Sequence, residues 1–314
     1  MTGVTDLPYR QIAVRLGASY VATEMVACES FVDARPEMVR RAAVGSGLPL
    51  MVIQLVGGDA GGVGRAARLA AHAGAQIIDL NFGCPAKSVT GVACGSALMR
   101  DLEGAERLIH AAVAASDAPV TVKMRLGWDE RSRSAPELAA RAAAAGAAAI
   151  CVHGRTRQQF YGGAANWAAV RAVKSASNLP VIVNGDVVDL ASARAAMRDS
   201  GADGVMIGRG ALGQPWIAAT IEAGLAGAER PEPEADERAD IVVEHLAASV
   251  RFYGEHRGVR MFRKHLAAYI DRAPWPRSAE ARRLARAWIC QLETTAEIAS
   301  AVSELWSTSM ARAA

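Results

Sequence analysis

The stretch NFGCPAK, residues 81 to 87, follows directly on an apolar run and places Cys84 between a glycine and a proline. A free cysteine is most often an inert buried thiol. Cys84 instead occupies a glycine-containing loop at the end of an apolar run, and we therefore predict a catalytic role for it. Use as a nucleophile would require a lowered pKa and a neighbouring base, and the sequence shows neither.

The remaining cysteines and the histidines lack the spacings of known structural sites. The five cysteines are an odd number without a C-x-x-C pair, which predicts neither a disulfide framework nor a zinc site and indicates a reducing compartment. The six histidines lack an H-E-x-x-H spacing, so we predict no metal site. We interpret four of the cysteines as packing residues: Cys28, Cys94, Cys151 and Cys290.

Polar side chains recur where other apolar runs end. Lys123 lies within VTVKM, where its ammonium is costly to bury unless it meets an anion or an acceptor. His153 ends the next run, in HGRTR, and Gln54 and Asn184 end two further runs. We predict that these side chains line one pocket rich in hydrogen-bond donors.

Two later runs end in glycine-containing turns, NGD at residues 184–186 and IGRG at residues 207–210. Eightfold barrels often bind a phosphate in the loops after their last two strands, where glycine lets backbone N–H groups approach and an arginine adds charge. Two solvated turns are the alternative interpretation. A phosphate here, with amide and lysine donors at the other strand ends, suits flavin mononucleotide (FMN).

Seven short apolar runs alternate with helical stretches. They begin at Tyr20, Leu50, Gln76, Pro119, Ala148, Pro180 and Asp203. Near-continuous apolar strands joined by Ala-rich segments predict parallel βα units that are buried on both faces. A (β/α)8 TIM barrel and a doubly wound sheet both fit this pattern. Polar or glycine residues at nearly every strand end favour the barrel, which gathers its site from many strands.

One stretch favours the doubly wound alternative. In GGDAGGVGRAA, Gly62, Gly64 and Ala67 match the dinucleotide fingerprint G-x-G-x-x-A. That motif should begin where its strand ends, and residues 57–61 intervene, so we interpret the stretch as a loop that enters a helix. Since the chain opens on GVTDLPYR, which resembles a loop before a helix, we expect the first of eight barrel strands to lie before Met1.

The pattern changes after Gly224, where AGAERPEPEADERAD forms a polar linker. Beyond it we predict four helices without strands, at roughly 236–253, 259–271, 278–291 and 294–307. The predicted domains are an FMN-binding barrel over residues 1–228 and a small all-helical domain over residues 236–314. Between Arg251 and Arg286 the sequence has ten basic residues against three acidic ones, although the whole chain carries only +3.

The sequence shows no targeting or membrane segment. No apolar stretch approaches the roughly 20 residues that a membrane helix needs, and the first residues lack a signal-peptide core. We therefore predict a soluble, cytoplasmic protein.

The stretches DLNFGCPAKSVTGVACGSALMRD, TVKMRLGW, HGRTR, PVIVNGD, MIGRGALGQPWI and YGEHRGVRMFRKHL together resemble the tRNA-dihydrouridine synthases, particularly the bacterial B-type branch. The resemblance spans nearly the whole chain. It departs at the front, where the family reads A-P-M-x-G and this chain keeps only Met1, Thr2 and Gly3.

The resemblance implies that the protein reduces specific uridines of tRNA to 5,6-dihydrouridine. A hydride would pass from reduced FMN to C6, and Cys84, still protonated at pH 7, would give a proton to C5. NADPH or NADH would reduce the flavin again. The implied flavin contacts are Met1, Gln54, Lys123, His153, Asn184, Gly185, Asp186, Gly208 and Arg209. Asn81 is expected to help hold the uracil, and Arg155 to contact the substrate.

A uridine in folded tRNA must leave its stack to reach such a site. The basic helices are expected to contact RNA phosphates through Arg260, Arg263 and Lys264, which with His265 are spaced to share one helical face. Two alternatives remain open. One is a barrel oxidoreductase acting on a free pyrimidine, as dihydroorotate dehydrogenases do, and the other is a non-catalytic RNA-binding protein that kept the fold.

Overall fold

A computed structural model of the chain describes residues 1–43, 45, 48, 50–274 and 278–310, with the backbone alone for 307–310. These residues form two compact units. The barrel unit comprises Met1–Thr2 and Tyr20–Gly210, and the helical unit comprises Gly3–Ser19 and Ala211–Ala314.

The barrel unit is built around one sheet of seven parallel strands. Their bounds are β1 Ala22–Ala27, β2 Val52–Val56, β3 Ile77–Phe82, β4 Val120–Arg125, β5 Ala149–His153, β6 Val181–Asn184 and β7 Gly204–Met206. Each strand pairs with the next one in the chain, so the spatial order is β1 to β7. A doubly wound sheet would reverse its order at a switch point, and the prediction of a TIM-barrel type of fold is therefore confirmed. The eighth strand expected before Met1 stays a prediction.

Helices separate successive strands of the barrel unit. The longer ones are α4 Ala60–His72, α6 Leu102–Ala115, α7 Ala135–Ala144 and α9 Leu190–Ser200. The shorter ones are α2 Cys28–Val32, α3 Pro36–Arg41, α5 Lys87–Thr90 and α8 Arg171–Ala176, with 3₁₀ turns at Gly95–Arg100, Ala168–Val170 and Arg209–Ala211. Their alanines form much of the buried face, as expected for short side chains packed against a sheet.

The glycine-rich stretch after β2 forms the start of α4. Asp59 caps this helix by accepting a hydrogen bond from the backbone N–H of Gly62. A Cβ on Gly64 would lie 3.2 Å from the carbonyl oxygen of Ala111, so the absence of a side chain allows close packing against α6. These glycines therefore serve a helix cap and a helix contact in place of a dinucleotide loop.

The helical unit contains α1 Leu7–Arg15, α10 Ile217–Leu225, α11 Ala235–Tyr253, α12 Glu255–Asp271, α13 Ala279–Ile289 and α14 Thr295–Met310. The last four helices lie close to their predicted bounds. The division between the units falls at Gly210, earlier than the predicted boundary at residues 228–236. The reason is that Ile12, Leu16 and Trp216 belong to the apolar core formed by α11 to α14. No helix in the described part of the chain is long and apolar enough to cross a membrane.

Candidate active site at the carboxyl ends of the strands

The strand register pairs the predicted polar residues across neighbouring strands. Asn81 on β3 pairs with Lys123 on β4, and His153 on β5 pairs with Asn184 on β6. Arg125, two residues beyond Lys123, pairs with His153. Since alternate residues of a strand point to the same face, these side chains converge at the carboxyl end of the sheet.

A continuous hydrogen-bonded chain of polar side chains runs through the sheet interior, and we call it the amide chain: Thr121, Asp79, Gln54 and Asn81. Thr121 Oγ1 donates to Asp79 Oδ1 at 2.7 Å, and Gln54 Nε2 donates to Asp79 Oδ2 at 2.6 Å. Asn81 Nδ2 then donates to Gln54 Oε1 at 2.8 Å. Because one Asp79 oxygen accepts from Thr121 and the other from Gln54, Asp79 fixes which way the Gln54 amide points, and Gln54 in turn orients Asn81.

Burial of Asp79 raises the pKa of its carboxyl, while the hydrogen bonds from Thr121 and Gln54 and the charge of Lys123 oppose that rise. The amide chain therefore contains an acidic group that is costly to ionise, held by three neighbours that favour its charged form.

The amide chain ends at the loop that carries Cys84. Asn81 Oδ1 accepts the backbone N–H of Gly83 at 3.1 Å and that of Cys84 at 2.8 Å. The Cys84 carbonyl accepts both the backbone N–H and the hydroxyl of Ser96, at 3.1 and 2.8 Å. Cys84 itself is half-buried. The loop backbone is thus fixed on both sides of the thiol, and the side chain keeps access to solvent.

Arg125 supports the same loop from β4. Its side chain is 2% exposed and donates to the carbonyl oxygens of Gly83, Thr156 and Phe160, each at 2.8 Å. Burial lowers the pKa of Arg125 to about 10, with Arg155 and Arg157 also acting in that direction. A buried guanidinium with three carbonyl acceptors holds the loop after β3 against the loop after β5.

Four cations surround His153, which is nearly buried. Burial lowers the pKa of His153 to about 2, and the charges of Lys123, Arg125, Arg155 and Arg209 add to the effect. Lys123 Nζ donates to Asn184 Oδ1 at 3.1 Å, and Asn184 Nδ2 donates to the carbonyl of Met206 at 2.7 Å. The imidazole is therefore neutral, and the excess of positive charge favours binding of an anion.

The two glycine turns lie beside this cluster. Gly185 has φ 113°, and a Cβ there would lie 2.8 Å from His153 Cδ2, so only glycine fits. Asp186 follows with φ 56°, in the left-handed region. A Cβ on Gly208 would lie 3.7 Å from Met1 Sδ and 3.8 Å from Asn184 Nδ2, which brings the predicted residue Met1 into the same group.

Arg155 requires a correction, because its donors are all used within the protein. Both oxygens of Asp186 accept from it, at 2.9 and 2.7 Å, and the carbonyls of Gly162 and Gly163 accept at 3.0 and 2.6 Å. Its fifth N–H lies 3.3 Å from His153 Nε2. With 2% exposure, Arg155 holds a loop and the NGD turn in place, and the predicted contact with substrate is not available to it.

The ion pair with Arg155 also restricts what the carboxylate of Asp186 can bind. Burial raises the pKa of this carboxyl, but the hydrogen bonds from Arg155 and from the backbone N–H of Ala165 outweigh it and lower the pKa. Because the carboxylate is ionised and paired, any contact of Asp186 with a phosphate would fall to its backbone. Arg209 lies 3.8 Å from Asp186 and keeps a side chain that is 56% exposed.

The three basic residues predicted on α12 differ in exposure. Arg260 is exposed, whereas Arg263 and Lys264 are half-buried. Arg263 Nη2 donates to the carbonyl of Leu292 at 3.4 Å. His265 is 1% exposed and belongs to the interior, so the expected face of four residues is wrong at that position. One further basic residue of the segment, Arg277, lies outside the described residues.

Two residues of this site were missed from the sequence. Asp79 and Arg125 lie two positions from the predicted residues Asn81 and Lys123, along the same strands. The period of two in a strand was the signal that could have found them, because it places each on the same face as its predicted neighbour.

A parallel barrel-type sheet with a cation-rich, glycine-lined cluster at its carboxyl ends is the architecture of barrel enzymes, which carry their active sites at that end. The comparisons refine this class. The family model "Dihydrouridine synthase (Dus)" matches residues 1–306, and the chain therefore belongs to the dihydrouridine synthase family.

Named relatives agree with the family. The chain is 51% identical over 286 residues to a probable tRNA-dihydrouridine synthase of Rhodobacter capsulatus, covering 90% of this chain and 88% of that protein. It is 44% identical over 284 residues to tRNA-dihydrouridine synthase B of Pseudomonas putida, covering 90% and 84%. The resemblance to this family, including a B-type member, is thereby confirmed.

Among solved structures, histamine dehydrogenase from Rhizobium sp. 4-9 matches with a TM-score of 0.53 and 14% identity, over 79% of this chain and 47% of that chain. At this identity the likeness concerns the fold alone, and it agrees with the barrel architecture.

Proposed function

We propose that this protein reduces uridines of tRNA to 5,6-dihydrouridine, using bound FMN that NADPH or NADH reduces again. The observation that carries the proposal is the match of residues 1–306 to the dihydrouridine synthase family, together with relatives named as tRNA-dihydrouridine synthases. Family membership implies a flavin. The alternative of a reductase of free pyrimidines loses its support, because those relatives are named for tRNA.

The residues at the strand ends fit FMN by their charge and donor chemistry. The phosphate group would be held at Gly208, Arg209 and the backbone of residues 185–186, where glycine leaves room and Arg209 is exposed. Lys123 and Asn184 would form hydrogen bonds with the polar edge of the flavin ring, and Gln54, His153 and Met1 would lie beside them. The positive charges around His153 provide the electrostatic reason for an anionic group here.

In this proposal Cys84 Sγ–H donates the proton to C5 of the uracil ring. When bound, reduced FMN would supply a hydride for C6, so that the C5=C6 bond would gain one hydride and one proton. The Cys84 sulfur is left as a thiolate and takes its proton back from water. Asn81 and Arg125 hold the backbone around Cys84, which orients the thiol before the substrate arrives.

Most of the hydrogen-bonding capacity of Asn81 is used within the protein, so little remains for the uracil. Its Oδ1 already accepts two backbone N–H groups and its Nδ2 gives one hydrogen to Gln54. The second hydrogen of Nδ2 is the remaining donor. We therefore propose that Asn81 contributes one hydrogen bond to the base and otherwise positions the Cys84 loop.

Replacement of Cys84 tests the role of the thiol. Cys84→Ala should keep the yellow flavin and its content per chain, yet lower dihydrouridine formation on unmodified tRNA by about 10²- to 10⁴-fold, the usual contribution of a general acid. The matched control is Cys94→Ala, which removes a half-exposed thiol that follows on the same segment and should leave turnover nearly unchanged. Unchanged turnover in Cys84→Ala would exclude it as the acid.

Substrate and cofactor assays test the wider proposal. Dihydrouridine should form on tRNA and be absent on free uridine or uracil under the same conditions. Protein that is colourless and takes up no FMN would favour the non-catalytic alternative, and equal turnover on a free pyrimidine would favour the other one.

A further inference from the structure

The helical unit contains a buried group of potential metal ligands that plays no part in the proposed reaction. We call Asp6, His245 and His265 the histidine cluster. One ligand atom from each residue lies within 4.8 Å of the others. Their exposures are 4%, 0% and 1%. Asp6 caps α1, His245 belongs to α11 and His265 to α12, so the fold joins residues that are distant in sequence.

The two imidazoles each have a buried nitrogen without a partner. The Nε2 atoms of His245 and His265 are buried and accept or donate no hydrogen bond among the described residues. Leaving a buried polar atom unsatisfied costs about 1–3 kcal/mol, and most buried polar atoms of proteins have a partner. A ligand that these nitrogens could bind would remove this cost.

The neighbouring groups have the arrangement that metal ligands require. His245 Nδ1 lies 3.1 Å from the hydroxyl of Tyr269, which orients the ring and leaves Nε2 for another partner. Asp6 Oδ2 accepts from the hydroxyl of Tyr253 at 3.0 Å, and Oδ1 accepts from the backbone N–H of Tyr9 at 3.1 Å. The carboxylate is therefore also held in place by donors outside the cluster.

We propose that Asp6, His245 and His265 form a binding site for one divalent transition-metal ion such as Zn²⁺, which ties α1 to α11 and α12 within the helical unit. Two imidazole nitrogens and one carboxylate suit Zn²⁺, Co²⁺ or Fe²⁺, whereas Mg²⁺ and Ca²⁺ prefer oxygen ligands. The metal bonds would be about 2.0–2.2 Å long, so ligand atoms that lie within 4.8 Å of one another can reach one ion with small side-chain movements.

The charges around the cluster fit this choice of ion. Burial lowers the pKa of His245 to about 3 and that of His265 well below its usual value, and Lys264 acts in the same direction on both. Both imidazoles are thus in the neutral form that binds metal. The positive charge of Lys264 also repels cations. This repulsion disfavours ions that are held by charge alone and favours ions that form strong bonds to nitrogen.

This site was not indicated by the sequence, in which the histidine spacing suggested no metal. His245 and His265 lie on different helices and Asp6 precedes a third helix. A local sequence motif therefore could not predict that the three residues lie together. The proposal is independent of the reductase activity, because its readout is bound metal.

The test is metal analysis of the full-length protein. After purification without chelator, mass spectrometry of the elements should find close to one transition-metal ion per chain. After chelation, titration with Co²⁺ should give a saturable visible absorption change at one equivalent and raise the melting temperature. Tyr269→Phe, which removes only the hydroxyl beside His245, should weaken Co²⁺ binding about 10-fold, as loss of an outer hydrogen-bond partner typically does.

Variants and controls separate this site from other metal-binding groups. Asp6→Asn and His245→Gln should each abolish stoichiometric binding, with folding checked by circular dichroism. His256→Ala removes an exposed histidine of α12 and Cys84→Ala removes a thiol, and both should bind Co²⁺ like the unchanged protein. Metal content far below one ion with no saturable Co²⁺ signal would overturn the proposal. So would binding that survives Asp6→Asn or is lost in Cys84→Ala.

Discussion

The amide chain of the barrel unit and the histidine cluster of the helical unit are both buried, but they differ in how their polar atoms are paired. In the amide chain, Thr121, Asp79, Gln54 and Asn81 are hydrogen-bonded one to the next, at distances between 2.6 and 2.8 Å. In the histidine cluster, two Nε2 atoms have no partner among the described residues.

This difference indicates two kinds of role. A buried chain in which each member is hydrogen-bonded to the next stabilises one orientation of each member and can position a reactive group at its end. A buried cluster with unpaired nitrogens keeps a cost that a bound ligand would remove. The following predictions test whether the amide chain acts on Cys84 and whether the histidine cluster needs a ligand.

After Cys84, the largest effect on turnover is expected at Asp79, which we propose as a positioning residue. Asp79→Leu removes the acceptor that orients Gln54, so Asn81 and the Cys84 backbone lose their fixed geometry. We expect kcat for dihydrouridine formation to fall about 100-fold, the scale of a displacement near 1 Å, with KM for tRNA nearly unchanged. Asp79→Asn should restore most of kcat, because the amide oxygen can accept from Gln54 and its nitrogen can donate to the Thr121 hydroxyl.

The asparagine variant is also the control for a purely structural role. Flavin content and circular dichroism should match in the leucine and asparagine variants. If Asp79→Asn were as slow as Asp79→Leu, orientation by hydrogen bonding would be the wrong explanation. If Asp79→Leu kept full turnover, the amide chain would have no part in positioning Cys84.

A stability comparison addresses both clusters directly. Gln54→Leu leaves Asp79 without one donor and Asn81 without an acceptor, at about 1–3 kcal/mol for each orphaned group. We expect a loss of about 3 kcal/mol in the free energy of unfolding, measured with urea on flavin-free protein. His265→Phe in chelator should cost less than about 1.5 kcal/mol, because it replaces a ring of similar volume whose Nε2 had no partner.

Urea unfolding of His265→Phe and of the unchanged protein, repeated with Zn²⁺ present, tests whether the ion stabilises the histidine cluster. The cost of His265→Phe should then increase, since only the unchanged protein gains stability from the ion. A cost in chelator equal to that of Gln54→Leu would mean that His265 has a protein partner in solution and would weaken the case for a ligand.

The barrel, the seven strands and the four C-terminal helices could be predicted because each depends on local patterns of apolar residues. Gln54, Asn81, Lys123, His153 and Asn184 could be placed together because each is a polar residue within or at the end of an apolar run. The roles of Arg155 and His265 could not, because charge and spacing do not reveal which donors the folded chain already uses. Arg155 is fully paired inside the protein, and His265 faces the core of its helical unit.

The histidine cluster and the domain boundary escaped prediction for a related reason. Both depend on α1, which lies near residue 10 in sequence and packs in the same unit as helices beyond residue 235. Contacts of such long sequence separation leave no periodic signal in a single sequence.

His153 is a further buried imidazole, and burial together with the neighbouring positive charges explains its low pKa. Its pKa is about 2, below the ordinary 6.5, so the unfolded chain binds a proton that the folded chain does not. Its contribution to stability is present above about pH 6.5 and is lost as the pH falls. We expect the unfolding free energy of His153→Gln to depend less on pH than that of the unchanged protein, by up to about 1.4 kcal/mol per pH unit below pH 6.

Urea unfolding of flavin-free protein between pH 7 and pH 4 measures this slope. His110→Gln, at an exposed position of α6, is the control and should leave the slope unchanged. Equal slopes in all three proteins would show that His153 titrates in the folded state as it does in the unfolded chain.

The smallest effect is expected at Arg260, on the exposed side of α12, which we propose contacts an RNA phosphate. Arg260→Ala should weaken tRNA binding a few-fold and reduce the slope of log affinity against log salt by about 1, since one phosphate contact releases about one counterion. Arg198→Ala is the matched control, because Arg198 is exposed on α9 of the barrel unit and paired only with Asp199 in the described structure. The two units would then differ in surface role as well as in buried chemistry. Equal losses in both variants would indicate a general effect of net charge, and an unchanged salt slope in Arg260→Ala would remove this residue from the RNA contact.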